Sequence, residues 1–219
     1  MKLSALIREY RREADDNAQP YFVSDADLMD LANQAEEEAC RRAHLLRDTT
    51  TASVCTVNVT AGDPVVTMHA SIIDVLRVKM ASETVPLQLI PQDEMDRVNI
   101  GWESQTGKPR AVVVGRDTGK LRLWPTPDAN EVLTLTVSRL PLAEMNDAED
   151  SPEIPRQYHR ALAQWLLYRV FSIRDGELFD PNKAAIALAN FEREFGKRQS
   201  ARNEMWRRDH LQVSMEPIA

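Results

Sequence analysis

Pro152-Glu153-Ile154-Pro155 runs into Tyr158-His159-Arg160-Ala161-Leu162-Ala163-Gln164-Trp165, and the reading of this stretch decides the fold. Paired prolines set a sharp helix start, because proline is tolerated in a first turn and not in a helix interior. Beyond them Leu162, Trp165, Leu166, Val170, Phe171 and Ile173, with Tyr158 and Tyr168, leave little room for a polar stripe. A helix that is apolar nearly all round belongs in the middle of a packed structure. The spacing predicts it over residues 156–174. Its neighbour in sequence is amphipathic. Asp180-Pro181 caps a helix with Ala184, Leu188, Phe191 and Phe195 on one face, running into Phe191-Glu192-Arg193-Glu194-Phe195-Gly196-Lys197-Arg198. Gly196 stands too early to end it cleanly, so this helix is expected over 181–200, with continuation to about residue 205.

The opposite chain end supplies matching surfaces. Leu3, Leu6, Ile7 and Tyr10 mark a short amphipathic helix over 3–13, ended by Asp15-Asp16-Asn17 and Pro20. Ser24 is a good N-cap, with Asp25 and Asp27 in the first turn where the helix dipole favours negative charge. Leu28, Ala32, Ala35, Ala39, Ala43 and Leu46 recur at steps of three and four and predict a helix over 24–46. Its alanine stripe permits close helix approach. Glu36-Glu37-Glu38 and Arg41-Arg42 are expected to cover the other faces, with Glu37 and Glu38 each four residues before an arginine.

Near residue 50 the apolar period changes from 3.6 to 2.0, and near 150 it changes back. Val54 through Thr60, Val65–Met68, Ile72–Met80, Val85–Ile90, Arg110–Val114, Lys120–Trp124 and Val132–Val137 read as strands. Ala61-Gly62-Asp63-Pro64 is turn chemistry, Pro91 opens a short helix, and Gly115-Arg116-Asp117-Thr118-Gly119 is a hairpin loop. Residues 144–150 form an acidic linker. The expected fold class is α+β, a helical bundle built from both chain ends with an inserted antiparallel β-module and an extended C-terminal tail. The domains follow: 1–50 and 151–205 the bundle, 51–150 the β-module, 206–219 the arm.

Of 219 residues, 43% are hydrophobic and 28% charged, an ordinary globular balance. No apolar run approaches the roughly 20 residues of a membrane span, and no membrane partner is expected. Arg8, Glu9, Arg11 and Arg12 interrupt the opening apolar run, so it reads as a first helix and not as a signal peptide. Asn58-Val59-Thr60 matches a glycosylation sequon but reads as strand. The two cysteines, Cys40 and Cys55, read as free thiols in a reducing compartment. Net charge is −7, spread as −4 over residues 1–50, −5 over 51–150 and +2 over 151–219. An acidic body argues against wrapping duplex phosphates, though not against letting DNA pass.

Candidate chemistry is thin. Gly115 to Lys120 resembles a phosphate-binding loop but is one residue short, carries Leu121 where Ser or Thr would hold magnesium, and joins two strands. His44, His69, His159 and His210 sit on separate elements with no metal-ligand spacing, so neither metal nor cofactor is expected. Cys55 and His69 as nucleophile and base lack an orienting partner. Glu153, Asp175 and Glu177 read as caps or solvated charges, and no enzyme is expected. What remains is the end of the chain. Lys197, Arg198, Arg202, Arg207 and Arg208 form a basic patch around Trp206, followed by alternating Leu211, Val213 and Met215, then Ile218. Such a segment suits strand addition or a partner's groove. Trp206, Arg207, Arg208, Leu211, Val213, Met215 and Ile218 are therefore the expected partner-binding residues.

Met1-Lys2-Leu3 through the first helix, Tyr21-Phe22-Val23-Ser24-Asp25-Ala26-Asp27-Leu28, the Pro152–Pro155 block with Tyr158-His159, and Phe191 to Gly196 together resemble tailed-bacteriophage head–tail connector (adaptor) proteins. The resemblance spans nearly the whole chain and carries no catalytic residues. It implies a ring, commonly of twelve copies, beneath the portal protein at the head–tail junction of the virion, assembled in the host cytoplasm. It also implies a tail or nozzle protein below and genomic DNA passing through the lumen. A tail-terminator or neck protein of similar ring architecture is the nearest alternative, and a small ligand-binding or hydrolytic enzyme the distant one. Acidic subunits repel one another, so the isolated protein is expected to be monomeric or weakly associated until a portal templates the ring.

Overall fold

Where the apolar period is 3.6 the chain is helical, and where it is 2.0 the chain is sheet. The computed structural model describes residues 1–174 and 178–209. In chain order it runs α1 (Leu3–Ala14), α2 (Asp25–Ala43), β1 (Leu46–Asp48), α3 (Ala52–Cys55), β2 (Thr56–Val59), β3 (Val65–Thr67), β4 (Ile72–Met80) and β5 (Gln88–Pro91). There follow α4 (Gln92–Val98), β6 (Ala111–Val114), β7 (Lys120–Trp124), β8 (Glu131–Arg139), α5 (Leu162–Phe171), α6 (Pro181–Phe195) and α7 (Ala201–Asp209). Two compact units result: a helical one of Met1–Leu46 with Leu140–Arg198, and a β-rich one with Arg47–Arg139 as its continuous body. The fold class is α+β.

In the helical unit α5 is central and packs against α1, α2 and α6. Leu162, Ala163, Leu166 and Val170 are fully buried, as the absence of a polar stripe required. Its aromatic face meets α6, with Trp165 and Phe191 centroids 5.1 Å apart and Phe191 and Phe195 4.6 Å apart. Facing it, α2 presents fully buried Leu28, Ala32, Ala35 and Ala39. Helix limits differ from the expectation in instructive ways. The two turns after Pro155 are 3-10, Arg156–Ala161, and α5 then runs from Leu162 only to Phe171, short of the expected residue 174. His44 ends α2 in the left-handed region at φ 49°, so Leu46 already belongs to a strand. Gly196 does end α6, at φ 84° and ψ 167°, a backbone region open essentially to glycine alone that costs a residue with a Cβ about 1–3 kcal/mol. A separate helix, α7, then covers Trp206–Asp209, so any extended arm starts after it.

Residues 144–150 are not a loose linker. The Asn33 side chain brackets Met145, accepting from its N–H at 2.8 Å and donating to its carbonyl at 3.1 Å. The first turn of α1 donates Leu3 N–H to the Asp150 carbonyl and Ser4 N–H to the Ala148 carbonyl. Backbone groups at a helix start need partners, and here the acidic segment supplies them.

In the β-rich unit β8 is the centre of one four-stranded sheet, with β4 on one side and β1 and β2 on the other. The second sheet has the order β3-β7-β6-β5. The β2–β8, β4–β8, β3–β7 and β6–β7 pairings are antiparallel as expected, whereas β5 and β6 run parallel. Residues 92–110 between them, including α4, supply the crossover that a parallel pair needs. Buried Leu133, Leu135 and Val137 alternate along β8 and meet Val75, Val78 and Met80 of β4 and Leu121 and Leu123 of β7 in one core. Val54 and Cys55 join that core from the short α3 and not from a strand.

Candidate partner-binding surface

The helical unit places charged groups in three arrangements, the first around Arg11. This side chain is buried on α1 and donates to Asp16 at 2.7 Å, to the Val23 carbonyl at 3.2 Å and to Asp25 at 2.5 Å. Its guanidinium lies 3.5 Å from the centroid of the Tyr21 ring. Asp16 in turn accepts from the Phe22 N–H at 3.0 Å. The loop between α1 and α2 is thereby pinned, and Ser24 caps α2 by accepting from the Asp27 N–H at 3.1 Å. Phe22 is held outward, 57% exposed. Tyr10 lies beneath, where burial, with the Asp16 charge adding to it, pushes its phenol up to about 12.

The second arrangement clamps the Pro152–Pro155 segment. Glu36, expected on a solvated face, is 2% exposed and accepts from the backbone N–H groups of Glu153 and, at 3.0 Å, Ile154. Burial pushes this carboxyl above its usual range, and the two N–H groups only partly offset that. His159 completes the clamp. Its Nδ1 lies 2.6 Å from the Met1 nitrogen, and its Nε2 donates to the Ile154 carbonyl at 2.8 Å. Glu38 is also buried and pairs with Arg41, Arg42 and Arg198. Arg41 thus goes to Glu38 and not to the expected Glu37. Arg42 also lies 5.1 Å from the Phe191 ring centroid and 5.4 Å from that of Trp165.

The third arrangement is a pair of concavities on either side of Arg8. One, of about 420 Å³, is lined by Lys2, Arg8, Arg156, Gln157, His159 and Arg160, with no carboxylate among its lining residues. The other, of about 710 Å³, offers Ile7, Tyr21, Ala26 and Met29 as its less polar wall. A further depression of about 430 Å³ is edged by Phe22, Leu31, Ile173 and Leu178 beside Asp27 and Asp30. In the β-rich unit Val98 and Ile100 are 76% and 94% exposed.

None of the residues expected to bind partners has a described side chain. Backbone helix reaches through Trp206, Arg207 and Arg208, whose side chains fall outside the described residues, as do Leu211, Val213, Met215 and Ile218. The chemistry weighed in the sequence is scattered. His44 caps a helix, His69 is 2.8 Å from Ser71, and Cys55 is buried beside Asp48, so Cys55 and His69 do not form a pair. Asp175 and Glu177 lie outside the described residues, and Glu153 sits on the clamped segment. The basic concavity was not read from the sequence, because Lys2 and Arg8 are some 150 positions from Arg156 and Arg160. The i, i+4 spacing of Arg156 and Arg160 was the available signal.

The helical unit is assembled from both ends of the chain, and the β-rich unit has the sequence between them as its body. The chain matches the family described as SU10 adaptor protein over residues 1–213 and belongs to it. It is a phage adaptor protein. No curated protein sequence matches the chain. Among the described residues no helix is long and apolar enough to cross a membrane.

Proposed function

We propose that this adaptor forms a ring, of twelve copies in the form the resemblance implies, that docks beneath the portal protein and joins the head to a tail or nozzle protein. The genome passes through its lumen without sequence-specific binding. Family membership over nearly the whole chain is the observation that carries this reading. The net charge of −7 supports it, since an acidic lumen repels phosphates and lets DNA slide. So do the unlike surfaces of the two units, because ring subunits meet through heterologous contacts in which one patch faces a different one.

The segment from Trp206 to Ile218 is assigned the contact with the portal or a neighbouring subunit. Its alternating Leu211, Val213 and Met215 would pair as an added strand, satisfying backbone and side chains together. Deleting residues 206–219 is expected to leave the melting temperature nearly unchanged and to abolish attachment to portal-bearing heads. Normal attachment of the truncated protein would remove the arm from the mechanism. Negative-stain images of the protein mixed with its portal test the ring itself, and a mixture without rings would count against the whole reading.

A further inference from the structure

The acidic chain carries one concavity whose charge is opposite to that of the whole. Lys2 pairs with Glu149, and Arg160 lies 3.5 Å from Glu9 while remaining 75% exposed on its side chain. Arg8 and Arg156 have no ion-pair partner among the described residues, and both are exposed. Arg156 also helps to depress the Met1 amine below its usual value, after burial, so positive charge is concentrated there. Arg8 borders the second concavity as well. A ligand crossing α1 at this point would therefore meet cations on one side of Arg8, and on the other Ile7, Ala26 and Met29 edged by the ion-paired carboxylates of Asp25 and Glu149.

The same chain carries the complement. On α4, Asp93 and Glu94 are exposed, as are Arg97 and Val98 at its end, and the loop that follows projects Ile100. This projection is braced. Trp102 is 3% exposed and donates its indole N–H to Asp96 at 2.7 Å, and Gly101 turns the loop at φ 74°. Arg122 stacks over the Trp102 ring at 5.1 Å. A nearly fully exposed isoleucine thus stands at a braced tip beyond the C-terminus of α4, with two carboxylates in that helix's first turn.

We propose that the α4 projection of one copy docks across α1 of the next, with Asp93 and Glu94 facing Arg8 and Arg156 and with Ile100 in the concavity lined by Ile7, Ala26 and Met29. This rests on the ring reading and names its contact. Opposite potentials steer the two patches together and set their register, and the contact is heterologous, as a ring requires. A duplex phosphate backbone is the poorer fit for the basic concavity, since the site is short and concave and the chain around it is acidic.

Mixing a preparation of Ile100→Cys with one of Ala26→Cys tests the contact under mild oxidation, alone and on portal-bearing heads. Cys40 and Cys55 are buried and stay out of the reaction. Mixed disulfide dimers are expected to outnumber either homodimer by at least about tenfold, a difference of about 1.4 kcal/mol. Adding Arg8→Glu and Arg156→Glu to the Ala26→Cys chain should suppress them. Placing Asp93→Lys and Glu94→Lys on the Ile100→Cys chain should restore them, which a merely misfolded variant would not do. Rings on the portal without mixed dimers overturn this contact and leave the adaptor reading standing. Mixed dimers without portal-bound rings keep the contact and sink the ring reading. Unchanged dimers in the charge-reversed variants, or loss of duplex DNA retention by Arg8→Glu and Arg156→Glu with cross-links unaffected, would make the site something other than a subunit contact.

Discussion

Each unit of this protein buries a carboxylate, and the two are held in opposite ways. Glu36 of the helical unit accepts from the backbone N–H groups of Glu153 and Ile154 and has no ion-pair partner among the described residues, and burial drives its pKa up. Asp48 of the β-rich unit accepts Arg139 Nε at 2.7 Å and the N–H groups of Thr50 and Thr51 at 2.9 and 3.1 Å. Burial pushes Asp48 up too, but its hydrogen bonds from Thr51, Thr50 and Arg139 together outweigh that and hold it well below the carboxylate range. Desolvation thus ends in opposite protonation preferences, decided by how many hydrogen bonds the carboxylate accepts: those from Thr51 and Thr50, with Arg139 added, outweigh it at Asp48, and the two at Glu36 do not. Asp48 and Arg139 lie where the chain enters and leaves the β-rich unit, so the ion pair ties its two ends together. Glu36 instead ties α2 to the segment that starts α5.

Breaking the ion pair should have the largest effect. Asp48→Ala is expected to destabilise the β-rich unit by about 3–5 kcal/mol, the cost of leaving one member of a buried pair behind. Urea denaturation gives the total, and amide exchange localised to β1 and β8 shows whether the loss falls in this unit. Protection lost equally in α5 would mean that the units do not unfold separately. Glu36→Ala comes next. It strands two backbone N–H groups, at a cost of about 1–3 kcal/mol, with exchange rising first at residues 153–154. Glu36→Gln keeps an acceptor and should lose less.

The pH dependence sharpens the contrast. Glu36 holds its proton more tightly folded than unfolded, so its contribution to stability grows as pH falls through the raised folded pKa. It levels off below the ordinary carboxylate value of about 4. Asp48 contributes stability above that ordinary value and loses it only as pH falls further, towards its depressed folded pKa. Between pH of about 7 and 5, wild-type protein should therefore gain stability relative to Glu36→Gln and show no change relative to an Asp48 variant. Equal slopes for wild type and Glu36→Gln over that range would remove the burial argument. The smallest effect is expected at the helix caps. Ser24→Ala should cost about 1 kcal/mol, read as a lowered denaturation midpoint with unchanged slope and confined to the helical unit.

Much of this was legible in the residues, and the misses share a cause. Leu162, Trp165, Leu166 and Val170 announced a central helix, because an all-round apolar surface has nowhere else to go. Ser24 and Asp180 marked helix starts for a local reason, their side chains satisfying nearby N–H groups. Alternation along β8 fixed which residues face the core. Glu36 was misread because a glutamate in a charged run gives no sign that a proline-bounded segment from residue 152 will lie over it. Gly196 was misread because a glycine ends a helix only when the backbone takes a positive φ, and the packing of Phe195 and the Glu192 carbonyl decide that. The parallel β5–β6 pair depended on where α4 could pack.

Local periodicity, capping and turn chemistry thus determined the elements and the α+β class, since those forces act within a few residues. Only the tertiary structure brought Lys2 and Arg8 beside Arg156 and Arg160, and only it gave Asp48 and Glu36 opposite surroundings. Charge and burial act through space, and a carboxylate's behaviour is set by what the fold places against it.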